Sequence, residues 1–69
     1  MEDKIKQQNI QRLDINDNTI NILNQNKISS IGQLCRKSEE DLKSFSIELN
    51  EIEKIKTELQ LLGLRIRNS

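Results

Sequence analysis

Histidine, proline, tryptophan and tyrosine are absent from this sequence of 69 residues, and phenylalanine and cysteine occur once each. Without histidine, the chain lacks the side chain that most often serves as a general base and as a metal ligand. The single cysteine, Cys35, therefore has no imidazole to activate it, and it cannot form a disulfide within the chain. We interpret Cys35 as a buried or half-buried structural residue in a reducing compartment.

Glycine is scarce as well, and the hydrophobic runs are short. The two glycines are Gly32 and Gly63, and neither belongs to a glycine-rich loop of the kind that cradles phosphate groups. A membrane span needs roughly 18 or more consecutive apolar residues, which this sequence lacks, and its polar start does not resemble a signal peptide. These absences predict a cytoplasmic protein that is not an enzyme and holds no cofactor or metal.

Isoleucine and leucine supply most of the apolar side chains, with eleven and nine residues respectively. In a chain of this length they suffice for one small core and hence one domain. The formal net charge is zero, from 11 basic and 11 acidic residues, so bulk charge alone does not direct the chain to nucleic acid. Lys27, Arg36 and Lys37 are interpreted either as a small positive patch or as an ordinary solvated face.

The spacing of the apolar residues predicts a compact all-α domain of four to five helices over residues 10–69. Residues 1–9 are polar, and we interpret them as a flexible N-terminal tail or the end of a linker. Residues 10–15 alternate loosely between apolar and polar side chains. They predict an extended lead-in whose apolar side chains close over the core.

A first helix is predicted over about residues 17–26. Asn16 or Asp17 is the expected N-cap, because a short polar side chain at that position accepts a hydrogen bond from a free amide of the first turn. Ile20 and Leu23 then face inward at helical spacing.

The middle of the chain predicts two short helices that meet at a corner around Gly32. The first is expected over residues 30–36. The second, over residues 39–44, begins at a capping box in which Ser38 and Asp41 bond reciprocally to each other's backbone amides.

The last helix is predicted to begin at Asn50, with Glu53 three residues later completing a second capping box. Ser46 is a rival start four residues earlier. Gly63 is expected to end this helix, because glycine readily adopts the left-handed conformation of a helix C-terminus. An apolar stripe at helical spacing is expected to face the core; it comprises Ile52, Ile55, Leu59 and Leu62.

Five short runs follow one another along the chain: Leu13-Asp14-Ile15, Asn18-Thr19-Ile20-Asn21-Ile22-Leu23, Ile28-Ser29-Ser30-Ile31-Gly32-Gln33-Leu34, Ser38-Glu39-Glu40-Asp41-Leu42 and Ile55-Lys56-Thr57-Glu58-Leu59-Gln60-Leu61-Leu62-Gly63-Leu64. In their order and spacing they resemble the C-terminal domain of the bacterial RNA polymerase alpha subunit. The last three runs keep that family's pattern intact, and the resemblance covers nearly the whole chain.

The resemblance implies a helical domain with a helix-hairpin-helix-like unit, joined to the polymerase by a flexible linker. Domains of this family contact A/T-rich upstream promoter DNA through the minor groove and the backbone. They also dock transcription activators or sigma factor, and they perform no chemistry themselves. A protein of this kind would work near the nucleoid in the bacterial cytoplasm, with the remainder of RNA polymerase as its partner.

Carried over by position, the resemblance assigns DNA contact to Asn18, Asn21, Asn50 and Lys54. Asn21 matches an asparagine of the family, whereas Asn18 stands where the family has an arginine. Arginine is drawn into the negative potential of a narrow minor groove, and a neutral amide is not. Asn21 is read either as a DNA contact or as a solvated helix residue.

The hairpin before the last helix departs furthest from the family pattern. Residues 47–54 are one residue shorter than the family's version, and either Glu48 or, with a different gap placement, Asn50 falls on its glycine. Glu51 and Glu53 add further negative charge at a helix start, where carboxylates repel phosphate. DNA affinity is therefore expected to be weak. The alternative reading is a free-standing helical protein-interaction module that has kept the fold and lost DNA binding.

Overall fold

The structure, a computed structural model, describes residues 2–67, with side chains from residue 4 onward. The secondary structure of these residues consists of five α-helices and one short 3₁₀ turn, with two isolated bridges and no strand, which confirms the all-α prediction. The elements in chain order are α1 Glu2–Lys6, the 3₁₀ turn Ile10–Arg12, α2 Asp17–Gln25, α3 Ile31–Cys35, α4 Glu39–Ser44 and α5 Leu49–Leu61. None of the helices within residues 2–67 has the length and apolar character needed to cross a membrane.

The first residues are more ordered than their composition suggests. Residues 2–6 form α1, which packs against α3, and Ile5 is half-buried against the core. At the contact, a Cβ added to Gly32 would lie 3.1 Å from both the Cβ and the carbonyl oxygen of Lys6. Gly32 therefore permits close approach between two helices. It lies inside α3 and does not form the corner predicted there. The domain boundary at residue 10 stays a prediction.

The segment before α2 is held to the α2–α3 connection by backbone pairing. The Ile10 amide donates to the Ser29 carbonyl at 3.0 Å, and the Ile31 amide donates to the Gln8 carbonyl at 2.9 Å. The segment is not extended throughout, because residues 10–12 form the 3₁₀ turn. Its apolar side chains nevertheless cover the core as predicted; Ile10, Leu13 and Ile15 are all buried.

Three of the helices begin at polar caps close to the predicted positions. Asn16 caps α2 and accepts from the Asn18 amide at 2.9 Å. Ser38 and Asp41 form the predicted capping box of α4. A further capping box, between Ser30 and Gln33, starts α3.

The predicted cap of α5 is wrong. This helix begins at Leu49, its N-cap is Glu48, and no side chain caps it. Asn50 therefore lies inside the first turn. Ser46, the rival start, belongs to the end of α4, where its φ is 70°.

Helices α2, α4 and α5 end in the same way. In each, a buried leucine accepts a hydrogen bond from the amide of an apolar residue five positions later, across a residue with positive φ. This is the Schellman arrangement, which satisfies the last carbonyls of a helix. The three pairs are Leu23 with Ile28, Leu42 with Ile47 and Leu59 with Leu64. The predicted stop at Gly63, where φ is 76°, is confirmed.

The core is built from aliphatic side chains of α2 to α5 and of the segments before, between and after these helices. Nine large side chains are fully buried: Ile10, Leu23, Ile28, Ile31, Leu34, Leu42, Ile52, Ile55 and Leu59. The predicted inward faces of α2 and α5 are thus confirmed, with Leu62 packed at the core's edge. This arrangement brings the first turns of α2 and α5 together.

Candidate interaction surface at two helix N-termini

A cleft of about 150 Å³ lies between the first turn of α2 and the α4–α5 connection. Ile22 and Ile47 contribute its apolar part, and the other lining residues are polar or acidic: Asn16, Asn18, Thr19, Ser46, Glu48, Asn50 and Glu51. We call this feature the N-terminal cleft. It exists because the α4–α5 turn places the start of one helix beside the start of another.

The structure brings two of the four predicted DNA-contact residues together. Asn18 and Asn50 both line the N-terminal cleft. Asn21 lies one turn further along α2, on a separate shallow groove that it shares with Asp17. Lys54 is exposed on α5, and its ammonium lies 3.8 Å from the carboxylate of Glu51.

Glu51 is the residue that joins the two sides of the cleft. Its Oε1 accepts a hydrogen bond from the Asn16 amide at 2.9 Å and another from the Thr19 hydroxyl at 2.9 Å. These two bonds hold the pKa of the Glu51 carboxyl below its usual range, because both donors stabilise the charged form. The side chain is only 12% exposed, so this carboxylate is part of the cleft wall.

A second carboxylate of α5 makes a parallel contact two turns further on. Oε1 of Glu58 accepts from the Asp14 amide at 3.0 Å. Glu51 and Glu58 therefore bind alternate amides of the segment that leads into α2, at Asn16 and Asp14. Sequence reasoning missed both roles. The available signal was a pair of carboxylates seven residues apart on a helix, beside the apolar stripe that faces this segment.

Charge in the cleft is mainly negative. Glu48 and Glu51 line it, and Lys54, whose ammonium lies beside Glu51, is on its α5 side. Helix N-termini ordinarily attract anions. Here the Asn16 amide at the start of α2 already donates to the Glu51 carboxylate. A phosphate that entered the cleft would therefore meet a group of like charge. The side-chain amides of Asn18 and Asn50 also line the cleft. They carry no charge and can donate or accept hydrogen bonds.

Other reactive groups in the structure are few. Cys35 is half-buried, as predicted, and burial raises the pKa of its thiol although Lys6 acts in the opposite direction. Within residues 2–67, no three acidic or cysteine side chains come together in a way that would hold a metal ion.

Comparison with known proteins adds no identification. No protein-family model matches the chain, and no curated protein matches it at a significant level.

Proposed function

We propose that this chain is a non-catalytic domain of the kind found at the C-terminus of the bacterial RNA polymerase alpha subunit. In this role it contacts A/T-rich upstream promoter DNA weakly, and it binds transcription activators or sigma factor. The observation that carries the proposal is the meeting of Asn18 and Asn50 on the N-terminal cleft. These positions lie far apart in the sequence, and the family resemblance independently assigns both to the DNA-facing surface.

The connection between α4 and α5 supports the helix-hairpin-helix-like part of the proposal. Residues 45–48 join the two helices through the Schellman end of α4, which leads directly into the N-cap of α5. Such a tight turn fixes the start of α5 relative to α4. In proteins that bind DNA through this kind of unit, the turn is the part that approaches the phosphate backbone.

Charge determines how strong this contact is. Glu48 and Glu51 stand in the cleft where a DNA-binding hairpin would offer free amides or cations. Because phosphate contacts supply most of the affinity of a protein for DNA, their loss predicts weak and only slightly salt-dependent binding at this cleft.

The test is an amide-shift titration of the chain with an A/T-rich DNA duplex at low salt. We expect shifts to concentrate in residues 16–22 and 47–51. The variant Asn18→Arg restores a cation at the mouth of the cleft, and its affinity should rise by roughly threefold to tenfold, because one further phosphate is neutralised.

Asn24→Arg is the matched control. Asn24 is an exposed residue of α2 that does not line the cleft, so the same charge is added elsewhere. An equal gain in both variants would contradict a DNA-facing cleft.

The second candidate function is a protein-interaction module without DNA binding. It is favoured by one observation: Glu51 is already bonded to Asn16 and Thr19, so the cleft wall is built around a carboxylate. An absence of duplex-induced shifts in both the parent chain and Asn18→Arg would select this candidate.

A further inference from the structure

The ion pairs of this protein are confined to one region. Among residues 4–67, the salt bridges join Lys43 to Glu39, Lys54 to Glu51, and Lys56 to both Glu39 and Glu53. All of them lie on α4 and α5. The cations of α1, of the α3–α4 connection and of the last described residues take part in none of these pairs. Among the side chains of residues 4–67, these cations have no ion-pair partner.

Four of these cations come from neighbouring parts of the fold. Lys6 and Arg36 line the same shallow groove beside Gly32, where α1 packs on α3. Lys37 follows Arg36 directly, and its carbonyl accepts a hydrogen bond of 3.0 Å from the Arg67 amide. Three separate segments of the chain thus bring Lys6, Arg36, Lys37 and Arg67 to neighbouring positions, and we call these four residues the basic surface.

One acidic group close to the basic surface is Asp41, which takes part in the capping box of α4. Asp41 lies within electrostatic reach of Lys37 and Arg67. Its Oδ2 accepts from the Ser38 amide at 3.0 Å in the capping box of α4, and this hydrogen bond to Ser38 is the main reason that the pKa of its carboxyl is low. The hydrogen bond does not remove the charge of Asp41, so this carboxylate offsets one of the four positive charges and three remain.

The remaining chemistry of this surface fits a nucleic acid better than a protein. Stable protein interfaces have an apolar, often aromatic centre. The large exposed apolar side chains among the described residues are Leu49 and Leu61, both on α5 and away from the groove. The groove also contains the polar side chains of Ser30 and Gln33 and the half-buried thiol of Cys35. Cations and polar side chains without an apolar centre are what phosphate-backbone contact requires.

We propose that the basic surface formed by Lys6, Arg36, Lys37 and Arg67 binds the phosphate backbone of duplex DNA. This inference rests on the proposed function, because it takes promoter DNA as the source of the phosphates. It places the electrostatic part of DNA binding on elements that share no residue with the N-terminal cleft. The cleft then contributes neutral contacts, and the basic surface contributes charge.

The experiment measures the binding of the full chain to an A/T-rich duplex between 20 and 200 mM salt, by fluorescence anisotropy and by amide shifts. Four neutralised phosphates predict a log–log salt slope of about −3.6. In the double variant Arg36→Gln/Lys37→Gln the slope should become shallower by about 2, and affinity at low salt should fall by roughly tenfold or more. The backbone bonds of both residues do not involve their side chains, so the fold should be retained.

Arg12→Gln/Lys43→Gln is the matched control, since it removes one arginine and one lysine that lie outside both the basic surface and the N-terminal cleft. Equal losses in the two double variants would overturn the proposal, because binding would then follow net charge alone. An acidic peptide that binds the same residues as tightly as the duplex would also overturn it, by assigning the surface to a protein partner.

The amide shifts separate a failure of this inference from a failure of the proposed function. Shifts at residues 36, 37 and 67 that disappear in Arg36→Gln/Lys37→Gln support the basic surface. Shifts confined to residues 16–22 and 47–51 overturn the basic surface and leave the proposed function standing. Shifts confined to the basic surface, together with no gain from Asn18→Arg, support the basic surface and contradict the assignment of the cleft to DNA.

Discussion

Lys27 and Ser46 adopt a backbone conformation that side chains other than glycine avoid. Their φ angles are 65° and 70°, close to the 76° of Gly63, and all three occupy the same position in a Schellman helix end. A side chain in the left-handed region costs about 1–2 kcal/mol. The chain accepts this cost twice, because each helix end also brings an apolar residue back onto the core.

Lys27→Gly is therefore expected to stabilise the protein. Relief of the left-handed strain exceeds the extra entropy that glycine adds to the unfolded chain, for a net gain of about 0.5–1 kcal/mol in the free energy of unfolding. Urea denaturation followed by circular dichroism measures this change. Gln25→Gly, two residues earlier in regular helix, is the control, and it should lose about 0.5–1 kcal/mol. A lower free energy of unfolding in both Lys27→Gly and Gln25→Gly would contradict the strain argument.

Glu51 lines the cleft that is proposed to face DNA, and its carboxylate also stabilises the fold. Asn16 caps α2 with its side chain, and the Glu51 carboxylate accepts from the Asn16 amide, which has no partner on its own helix. A hydrogen bond to an ionised group is stronger than one between neutral groups. The negative charge that weakens DNA contact in the cleft is thus also a tie between α2 and α5.

Glu51→Gln is expected to lower the free energy of unfolding at pH 7 by about 1–2 kcal/mol, since both bonds become neutral. The pH dependence should change as well. The folded pKa of the Glu51 carboxyl is lowered, so its contribution is present above the unfolded pKa of about 4.3 and is lost as pH falls through the folded value.

Stability measured from pH 7 to pH 3 should therefore decline less steeply in Glu51→Gln than in the parent chain. Glu53→Gln removes only an exposed pair with Lys56 and should change stability by less than about 0.5 kcal/mol. Identical pH profiles in the parent and Glu51→Gln would refute the role given to this carboxylate.

At the scale of elements, α1 depends on one small residue of another helix. Gly32 is the point where α3 touches Lys6, and any side chain there would press against the α1 backbone. Composition alone made residues 1–9 look like a tail, because only Ile5 among residues 2–9 is apolar. What holds α1 in place is shape at Gly32 and the burial of Ile5, and neither appears in a hydrophobic pattern.

Gly32→Ala should displace α1 without unfolding the other helices. We expect faster hydrogen exchange at residues 4–8 and a loss of roughly 1 kcal/mol, since the added methyl group would push the Lys6 backbone away by a few tenths of an ångström. In a shortened chain that begins at Gln7 behind a methionine, the clash is absent. Alanine should then stabilise α3 by up to about 1 kcal/mol through its higher helix propensity. The reversal of sign is the diagnostic result, and a loss of equal size in both chains would contradict the contact.

The starts of α4 and α5 show why one helix boundary was predictable and the other was not. Ser38 and Asp41 are three residues apart and bond only to each other's amides, so their sequence is sufficient. Asn50 and Glu53 have a similar spacing, yet α5 begins at Leu49. The buried packing of Ile52 and the Schellman turn at Ser46 set that start, and a possible local cap was overridden.

At the scale of the whole molecule, zero net charge conceals an uneven distribution. Salt bridges concentrate on α4 and α5, the N-terminal cleft is acidic, and the basic surface gathers cations from three segments. From the sequence, Lys27, Arg36 and Lys37 are either a small positive patch or an ordinary solvated face. Lys6 and Arg67 join Arg36 and Lys37 only because α1 packs on α3 and the last described residue pairs with Lys37.

The sequence by itself determined the helical class, the inward stripes of α2 and α5, the capping box at Ser38 and the stop at Gly63. These features depend on contacts three to five residues apart along the chain, so local order is enough to specify them. Tertiary structure alone decided the use of Glu51, the role of Gly32 and the assembly of the cleft. Each of these features depends on contacts between residues that are distant in sequence. Such contacts override a local preference where burial or a hydrogen bond between the two segments contributes more to the free energy of folding.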